Sequence, residues 1–388
     1  MLRPQPLEPE SGVFLPLPLP GGEALMAVLD RPVPPAARSA EAPTAPPAAT
    51  ASAGWTADRP LGLVLVVHGL GGGSEGRGPR RLAWTLRQLG FATLRLNLRG
   101  AGPGRPLARG SYCGRCDSDL LPALAAARRL AGELGRHAGR RDPLPLLAAG
   151  LSLGGTVLLN ACLADQQAGG EPLAGLVCVS SPLDLAACTA AIERPRNAPY
   201  QAWLLARLCA QVRADPFGLA AAEAARLTGP QRPRGIRGFD AVITAPRWGY
   251  ACVDEYYASA SPLPRLLAAP SLPPTLLLQA RDDPWVPVAA IASLAASLER
   301  RDRTGSGKGP AWGTAEGRAE GRAESPATGM GIDCGSGGMT QPEPLLQLQI
   351  TASGGHNGFH GRDDRRSALP GSWADQRCAL WLRSRLPA

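Results

Sequence analysis

Residues Leu146 to Asn160 read LLAAGLSLGGTVLLN, a short apolar run that switches at one serine into a helix-forming stretch. A strand that becomes a helix within a residue leaves little room beside the sheet edge, so side chains flanking the turn would clash. Gly150 and Gly154 bracket Ser152 in the pattern G-x-S-x-G, which permits the turn and lifts the serine hydroxyl clear of the sheet. Such a serine is a candidate nucleophile, and the remaining chain has to supply a base, an acid and a site for developing negative charge. The pattern alone decides little in a chain with 47 glycines, because GGSEG at Gly72 to Gly76 matches it too. Context has to choose between Ser152 and Ser74.

That context is regular. LGLVLVVHG from Leu61 is a continuous apolar run, as expected of a parallel strand buried on both faces. An amphipathic helix at Arg80 to Gly90, a strand ATLRLNLRG, a helix at Asp117 to Arg136, the serine strand and helix, and a strand in LAGLVCVSSP follow in turn. This alternation predicts an α/β fold with a mostly parallel, doubly wound sheet. Upstream, Gly12 to Asp30 predicts two strands about Gly21-Gly22, an antiparallel hairpin at the sheet edge, where proline is tolerated.

Between Asp184 and Pro270 strand signals stop, and helical stretches such as Ala202 to Val212 and Leu219 to Leu227 replace them. Residues 184–270 are therefore expected to form a helical cap over the strand ends. PTLLLQARDDPWVP returns to the sheet, and PLLQLQITASGGH and Trp373 to Leu386 supply a last strand and helix. Residues 1–388 are read as a single domain with two low-complexity stretches. A Pro/Ala-rich flexible loop is expected over 31–60 and a disordered insertion over 301–341, since neither holds enough core-forming residues to offset ordering entropy.

The net charge of +9 comes almost wholly from arginine, Lys308 being the only lysine. The arginines are dispersed rather than striped with aromatics, which argues against a nucleic-acid surface. The first residues, MLRPQPLEPESG, carry prolines and acids where a signal peptide needs an apolar core, and no run reaches the roughly 18 apolar residues of a membrane span. Most of the nine cysteines lie in apolar runs, as with Cys162, Cys178 and Cys209, and read as reduced core residues. A cytoplasmic protein is expected, with peripheral membrane contact left open. Cys113 and Cys116 have C-x-x-C spacing without a second ligand pair at zinc-finger distance, so no metal is expected, and no cofactor.

With four histidines, the search for a base is short. In strand-turn-helix serine enzymes the order along the chain is Ser, acid, His, each on a loop at the carboxyl end of a strand. His356, in GGHNGF, follows the last strand, and Gly354 and Gly355 let the backbone carry the ring over the sheet edge; it is preferred to His360. Asp282 and Asp283 close the preceding strand. Asp283, which opens D-P-W-V-P at the strand's final turn, is chosen with Asp282 second. Two backbone N–H groups have to face the oxyanion: that of Leu153, after the nucleophile, and that of Leu70 in HGLGGG, a loop that His68 holds by hydrogen bonds rather than by reacting.

Other patterns compete. Gly71 to Gly76 matches a dinucleotide G-x-G-x-x-G, but the next strand ends at Asn97 and Arg99 instead of an acid. His137 to Asp142 has an H-x4-D spacing in a polar connection away from the expected site. Arg99, Arg105 and Arg109 follow a strand end and, at the site mouth, would favour an anionic or phospholipid-like substrate; solvated loop charges are the alternative. With 5% aromatic residues, no acyl-binding wall is legible.

NLRGAGPGRPLARGSY at Asn97 to Tyr112 and IRGFDAVITAPRWGYACVDEYYASASPL at Ile236 to Leu263 add longer phrases to these motifs. Together with HGLGG, GLSLGG, ARDDPWVP and GGHNGF they resemble the YheT branch of the α/β-hydrolase superfamily, relatives of the abhydrolase-domain lipases and esterases, over most of residues 12–388. The resemblance implies the α/β-hydrolase fold, a Ser152, Asp283, His356 triad and activity on carboxylic or lipid esters through an acyl-enzyme. Acyl transfer by the same triad and a non-catalytic binding protein on the same scaffold are the alternatives. The expected partner is a small-molecule or lipid ester.

Overall fold

The structure is a computed structural model that describes residues 12–34, 56–230, 232–268, 272–304, 312–317, 345–360, 364, 367 and 369–387. Runs such as GLVLVV carry no polar side chain to turn toward water, so they form strands covered on both faces. The strands are β1 (Val13–Pro18), β2 (Ala24–Asp30), β3 (Gly62–Val67), β4 (Phe91–Asn97), β5 (Leu146–Leu151), β6 (Gly175–Val179), β7 (Thr275–Ala280), β8 (Trp312–Gly317) and β9 (Leu346–Thr351). They make one sheet in the order β1-β2-β4-β3-β5-β6-β7-β9-β8. Every residue of β3, β4, β5, β6 and β7 is buried. The N-terminal hairpin turns at Gly21 and Gly22, both with positive φ; β1 pairs antiparallel with β2 and β2 antiparallel with β4, while the remaining pairs are parallel.

Parallel register sets the function. Val67 pairs with Gly150, Leu151 with Val179, and Ala280 with Thr351, so the loops after β3, β5, β7 and β9 leave one edge together. Alternate residues of each strand face opposite layers. Leu65, Val67 and Ala148 pack toward α2 (Asp117–His137), α3 (Leu153–Gln167) and α11 (Ala289–Thr304), whereas Val64, Val66 and Ala149 pack toward α1 (Arg77–Gln88) and α12 (Trp373–Ser384). No helix among the described residues is long and apolar enough to cross a membrane.

Between β6 and β7 the chain forms α4 (Leu185–Ile192), α5 (Ala198–Arg213), α6 (Ala221–Thr228), α7 (Ile236–Phe239), α8 (Ala245–Arg247), α9 (Val253–Ala260) and α10 (Leu263–Leu267), with a π-helical turn at Asp240–Thr244 joining α7 to α8. This region has a small core of its own, including Leu204, Leu208, Leu227, Ile236 and Phe239.

One expectation needs correction. Residues 301–341 are not wholly without structure: α11 continues to Thr304, and β8 pairs in parallel with β9. An edge strand is recruited through backbone hydrogen bonds, which do not require the core-forming side chains that the segment lacks. Residues 305–311 and 318–341 lie outside the described residues, as do 35–55 of the Pro/Ala-rich stretch and 269–271 at the end of the cap. The two flanks of that first stretch meet, since Arg31 pairs with Asp58 at 2.8 Å.

A buried ion pair ties the antiparallel edge to the parallel sheet. Arg95 of β4 donates to both oxygens of Asp30 in β2, at 2.8 and 3.1 Å, and their side chains are 5% and 4% exposed. Asp30→Ala leaves a buried guanidinium without its main counter-charge and should cost about 3–5 kcal/mol, read from the urea midpoint; a loss below about 1 kcal/mol would show the pair to be dispensable.

Candidate active site

β5 ends at Leu151 and α3 begins at Leu153, so Ser152 alone makes the turn, with φ 53° and ψ −127°. A residue with a Cβ occupies this region at a cost on the order of 1–3 kcal/mol, so its surroundings must hold it. The Ser152 N–H donates to Val179 O at 2.8 Å, and the Gly155 N–H donates to Ser152 O at 3.0 Å. A Cβ at Gly150 would strike the backbone of Gly155, and one at Gly154 would strike the carbonyl oxygens of Val67 and His68.

The structure brings His356 and Asp283 to this serine. Ser152 Oγ lies 2.9 Å from His356 Nε2, and His356 Nδ1 lies 3.0 Å from Asp283 Oδ2. With the ring neutral and protonated on Nδ1, the serine hydroxyl donates to Nε2 and Nδ1–H donates to the carboxylate. Asp283 sits in a turn that its own side chain organises. Oδ1 accepts from the N–H groups of Trp285 (2.9 Å) and Val286 (3.0 Å), and Oδ2 accepts from Gln279 Nε2 at 3.2 Å. Burial pushes its pKa up, but the His356 hydrogen bond and charge and the two backbone donors outweigh burial, so the net shift is downward. Asp282, the second choice for the acid, turns away from the ring: its exposed carboxylate accepts from Gly355 N–H at 2.8 Å and pins the loop that carries His356. His360 is exposed and lies 3.7 Å from Asp364, and His137 bonds Glu133 O within its own helix.

The loop after β3 approaches from the other side. The backbone N–H groups of Leu70 and Leu153 donate to no protein group among the described residues, and both residues line a cavity with Ser152 and His356. His68 shapes the loop from beneath. Its Nδ1–H donates to Gly69 O at 2.8 Å, and its Nε2 accepts from Leu98 N–H at 3.2 Å, a pattern that only the neutral ring can make. Burial, assisted by the nearby Arg207 charge, holds its pKa down at about 4 despite the Gly69 bond. Tyr112 accepts from Gly71 N–H at 2.7 Å, and Arg207 and Gln211 of α5 donate to Gly71 O. Ser74, the rival serine, is fully buried: its N–H donates to Asn97 Oδ1, and its hydroxyl accepts from Asn97 Nδ2. The glycine-rich loop therefore serves the serine site rather than a dinucleotide.

Above the serine lies a cavity of about 850 Å³ including its open mouth. Leu204, Leu208, Ile192 and Ile236 supply aliphatic wall, and Tyr112, Tyr200, Phe239, Tyr256 and Trp285 supply aromatic wall, so the aromatic surface that is illegible in the sequence does exist. Trp285 packs on His356 with ring centroids 4.7 Å apart, and Tyr200 stacks on Trp285.

The three arginines expected at the mouth do not line this cavity. Arg99 forks onto Asp119 at 2.8 and 2.7 Å and also pairs with Glu23. Arg105 lies 3.7 Å from the buried Asp215, and Arg109 is exposed and donates to Phe217 O. Acids from distant elements claim two of these charges, which a reading of local position does not reveal. Cys113 and Cys116 are both buried, and burial raises each thiol well above its ordinary value, so both stay protonated. Among the described residues no group of His, Cys, Asp or Glu could hold a metal.

A serine on a strand-to-helix turn, with a histidine and an aspartate on loops at the same edge of a mostly parallel sheet, is the arrangement of the α/β hydrolases. The chain belongs to the alpha/beta hydrolase family, whose sequence profile matches residues 63–312. It is similar to YheT of Escherichia coli (strain K12), 35% identical over 142 residues that span 37% of this chain and 41% of YheT. It is also similar to phospholipase ABHD3 of Homo sapiens, 28% identical over 232 residues, 59% of this chain and 52% of that protein. These matches span about half or less of the relatives' own length. Among solved structures, a soluble variant of monoglyceride lipase from Saccharomyces cerevisiae, in complex with a substrate analog, shares the fold with a TM-score of 0.51 at 14% identity, covering 99% of each chain.

His68 yields a pH prediction. Between its ordinary value of 6.5 and about 4, the unfolded chain binds a proton that the native ring refuses. Stability present at neutral pH is therefore lost as the pH falls through that window, by up to about 3 kcal/mol from this group. Asp240, which burial raises from 3.8 to about 6, opposes this in part, because there the native state holds the proton. Urea midpoints measured across the window should fall less steeply for His68→Gln than for the wild type, and parallel profiles would refute the assignment.

Proposed function

We propose that the chain is a serine hydrolase that cleaves carboxylic esters through an acyl-enzyme. The observation that carries this reading is the unbroken hydrogen-bonded line from Ser152 through His356 to Asp283, opening into a largely apolar cavity. His356 Nε2 takes the hydroxyl proton as Ser152 Oγ attacks the ester carbonyl, and Asp283, held ionised, stabilises the imidazolium. The carbonyl oxygen gains its negative charge between the unpaired N–H groups of Leu70 and Leu153. Collapse of the tetrahedral adduct breaks the ester C–O bond, and the departing alkoxide takes the proton from His356. Water then attacks the acyl-serine as His356 removes its proton; the adduct expels Ser152 Oγ, which recovers that proton, and the acid leaves.

Leu204, Leu208, Ile192 and Ile236 suit an acyl chain or another apolar portion of the ester. The name phospholipase carried by ABHD3 supports a lipid-like ester, whereas the pairing of Arg99 and Arg105 with acids, and the position of all three arginines off the cavity lining, weaken the argument for an anionic headgroup. Eight unpaired cysteines among the described residues, seven of them buried, suit the reducing cytoplasm.

Ser152→Ala should lower turnover of a short p-nitrophenyl ester by at least about ten-thousand-fold. It should also abolish labelling by a fluorophosphonate probe while leaving the circular dichroism spectrum unchanged; labelling that persists in the variant would sink the assignment. Asp282 acts through the His356 loop instead of on substrate. Asp282→Ala should reduce kcat about tenfold with little change in KM, and Asp282→Asn, which still accepts from Gly355 N–H, should restore most of it. Equal losses in the two variants would mean that the loop does not depend on this contact.

A further inference from the structure

The stretch around Asp240 is not used by the chemistry above, yet it lines the same cavity. Asp240 opens the π-helical turn, and π-helical turns recur at functional sites. Its Oδ1 accepts from Thr244 Oγ1 at 2.7 Å and its Oδ2 from Tyr257 OH at 2.8 Å, while Tyr257 OH accepts in turn from Thr189 Oγ1 at 3.1 Å. All four residues line the cavity, a polar patch in a wall otherwise built largely of Leu, Ile and aromatic side chains.

The patch is incomplete in two respects. Each carboxylate oxygen has a second lone pair, and one acceptor position on each is still open. Among the described residues no Arg, Lys or His lies within ion-pair distance of Asp240. Arg237, close by in sequence, turns its guanidinium to Asp254. A carboxylate walled by apolar surface without a cation is costly to keep, and burial accordingly raises its pKa to about 6.

We propose that Asp240 is a specificity-determining residue that accepts a hydrogen bond from an O–H or protonated N–H group on the substrate, remote from the scissile carbonyl. The preferred substrate class is then an ester whose buried portion is mainly apolar but carries one such donor. This rests on the ester-hydrolase reading of the same cavity. Because the donor contact and the triad are separate groups, selectivity and turnover fail independently.

The test uses p-nitrophenyl esters of short, medium and long acyl chains ending in methyl, hydroxyl or amino groups. For at least one chain length the wild type should favour a hydroxyl- or amino-ended ester over its methyl-ended counterpart by about tenfold in kcat/KM, as expected for one hydrogen bond to a charged group. Asp240→Leu should bring that ratio to one or below, and Thr244→Val, which keeps the acceptor, should preserve it. Fluorophosphonate labelling of Ser152 reports whether each variant still carries an assembled site. If Asp240→Leu does not fold, Asp240→Asn takes its place and should cut the ratio severalfold. A wild type that favours methyl-ended esters at every length overturns the proposal, as does equal loss of selectivity in the Asp240 and Thr244 variants. In either case, turnover of the methyl-ended esters leaves the hydrolase reading standing; no turnover of any ester, with no labelling, counts against both.

Discussion

The backbone at Ser152 is held where a side chain does not normally go, and the whole sheet edge is arranged to keep it there. Relaxing φ from 53° would swing α3 away from β5, yet α3 is buried from Leu153 to Leu163 and every residue of β5 is buried. Apolar burial of that extent outweighs a local strain on the order of 1–3 kcal/mol. The same constraint brings the loop after β3 close. A Cβ at Gly69 would come within 3.0 Å of Ser152 Cβ and 3.1 Å of Leu151 O, so glycine lets the loop lie against the serine without crowding it.

Beneath that loop the protein uses polar groups in place of apolar packing. Asn97, Ser74, Arg95, Asp30 and Glu75 form a connected set in which Arg95 also donates to the Ser74 carbonyl. Directional bonds fix where a loop backbone lies more tightly than non-directional apolar contact can, and satisfied networks resist displacement. His68 belongs to this support because its ring is buried and neutral. A charged ring could not accept from Leu98 N–H, so the low pKa and the loop geometry are two expressions of one environment.

Much of this was legible in the sequence because it depends on short-range rules. Continuous apolar runs specify buried parallel strands, glycines bracket a turn that excludes side chains, and D-P-W-V-P closes a turn that Asp283 caps through Trp285 and Val286. What was illegible depends on partners far along the chain. Arg99 follows a strand end, as a substrate-binding residue would, but Glu23 and Asp119 neutralise it from two other elements. The cavity wall draws Tyr112, Tyr200, Phe239, Tyr256 and Trp285 from separate stretches, so no local window shows an aromatic surface. β8 escaped notice because an edge strand held by backbone bonds leaves little trace in hydrophobic pattern.

The helical region between β6 and β7 touches the loops that carry Leu70 and Asp283 directly, through α5. Arg207 and Gln211 of α5 donate to the carbonyl of Gly71, next to Leu70, which lines the cavity. Tyr200, near the start of the same helix, stacks on Trp285, whose ring packs against His356 and whose N–H caps Asp283. One helix thus touches both the loop after β3 and the turn that holds Asp283 beside His356.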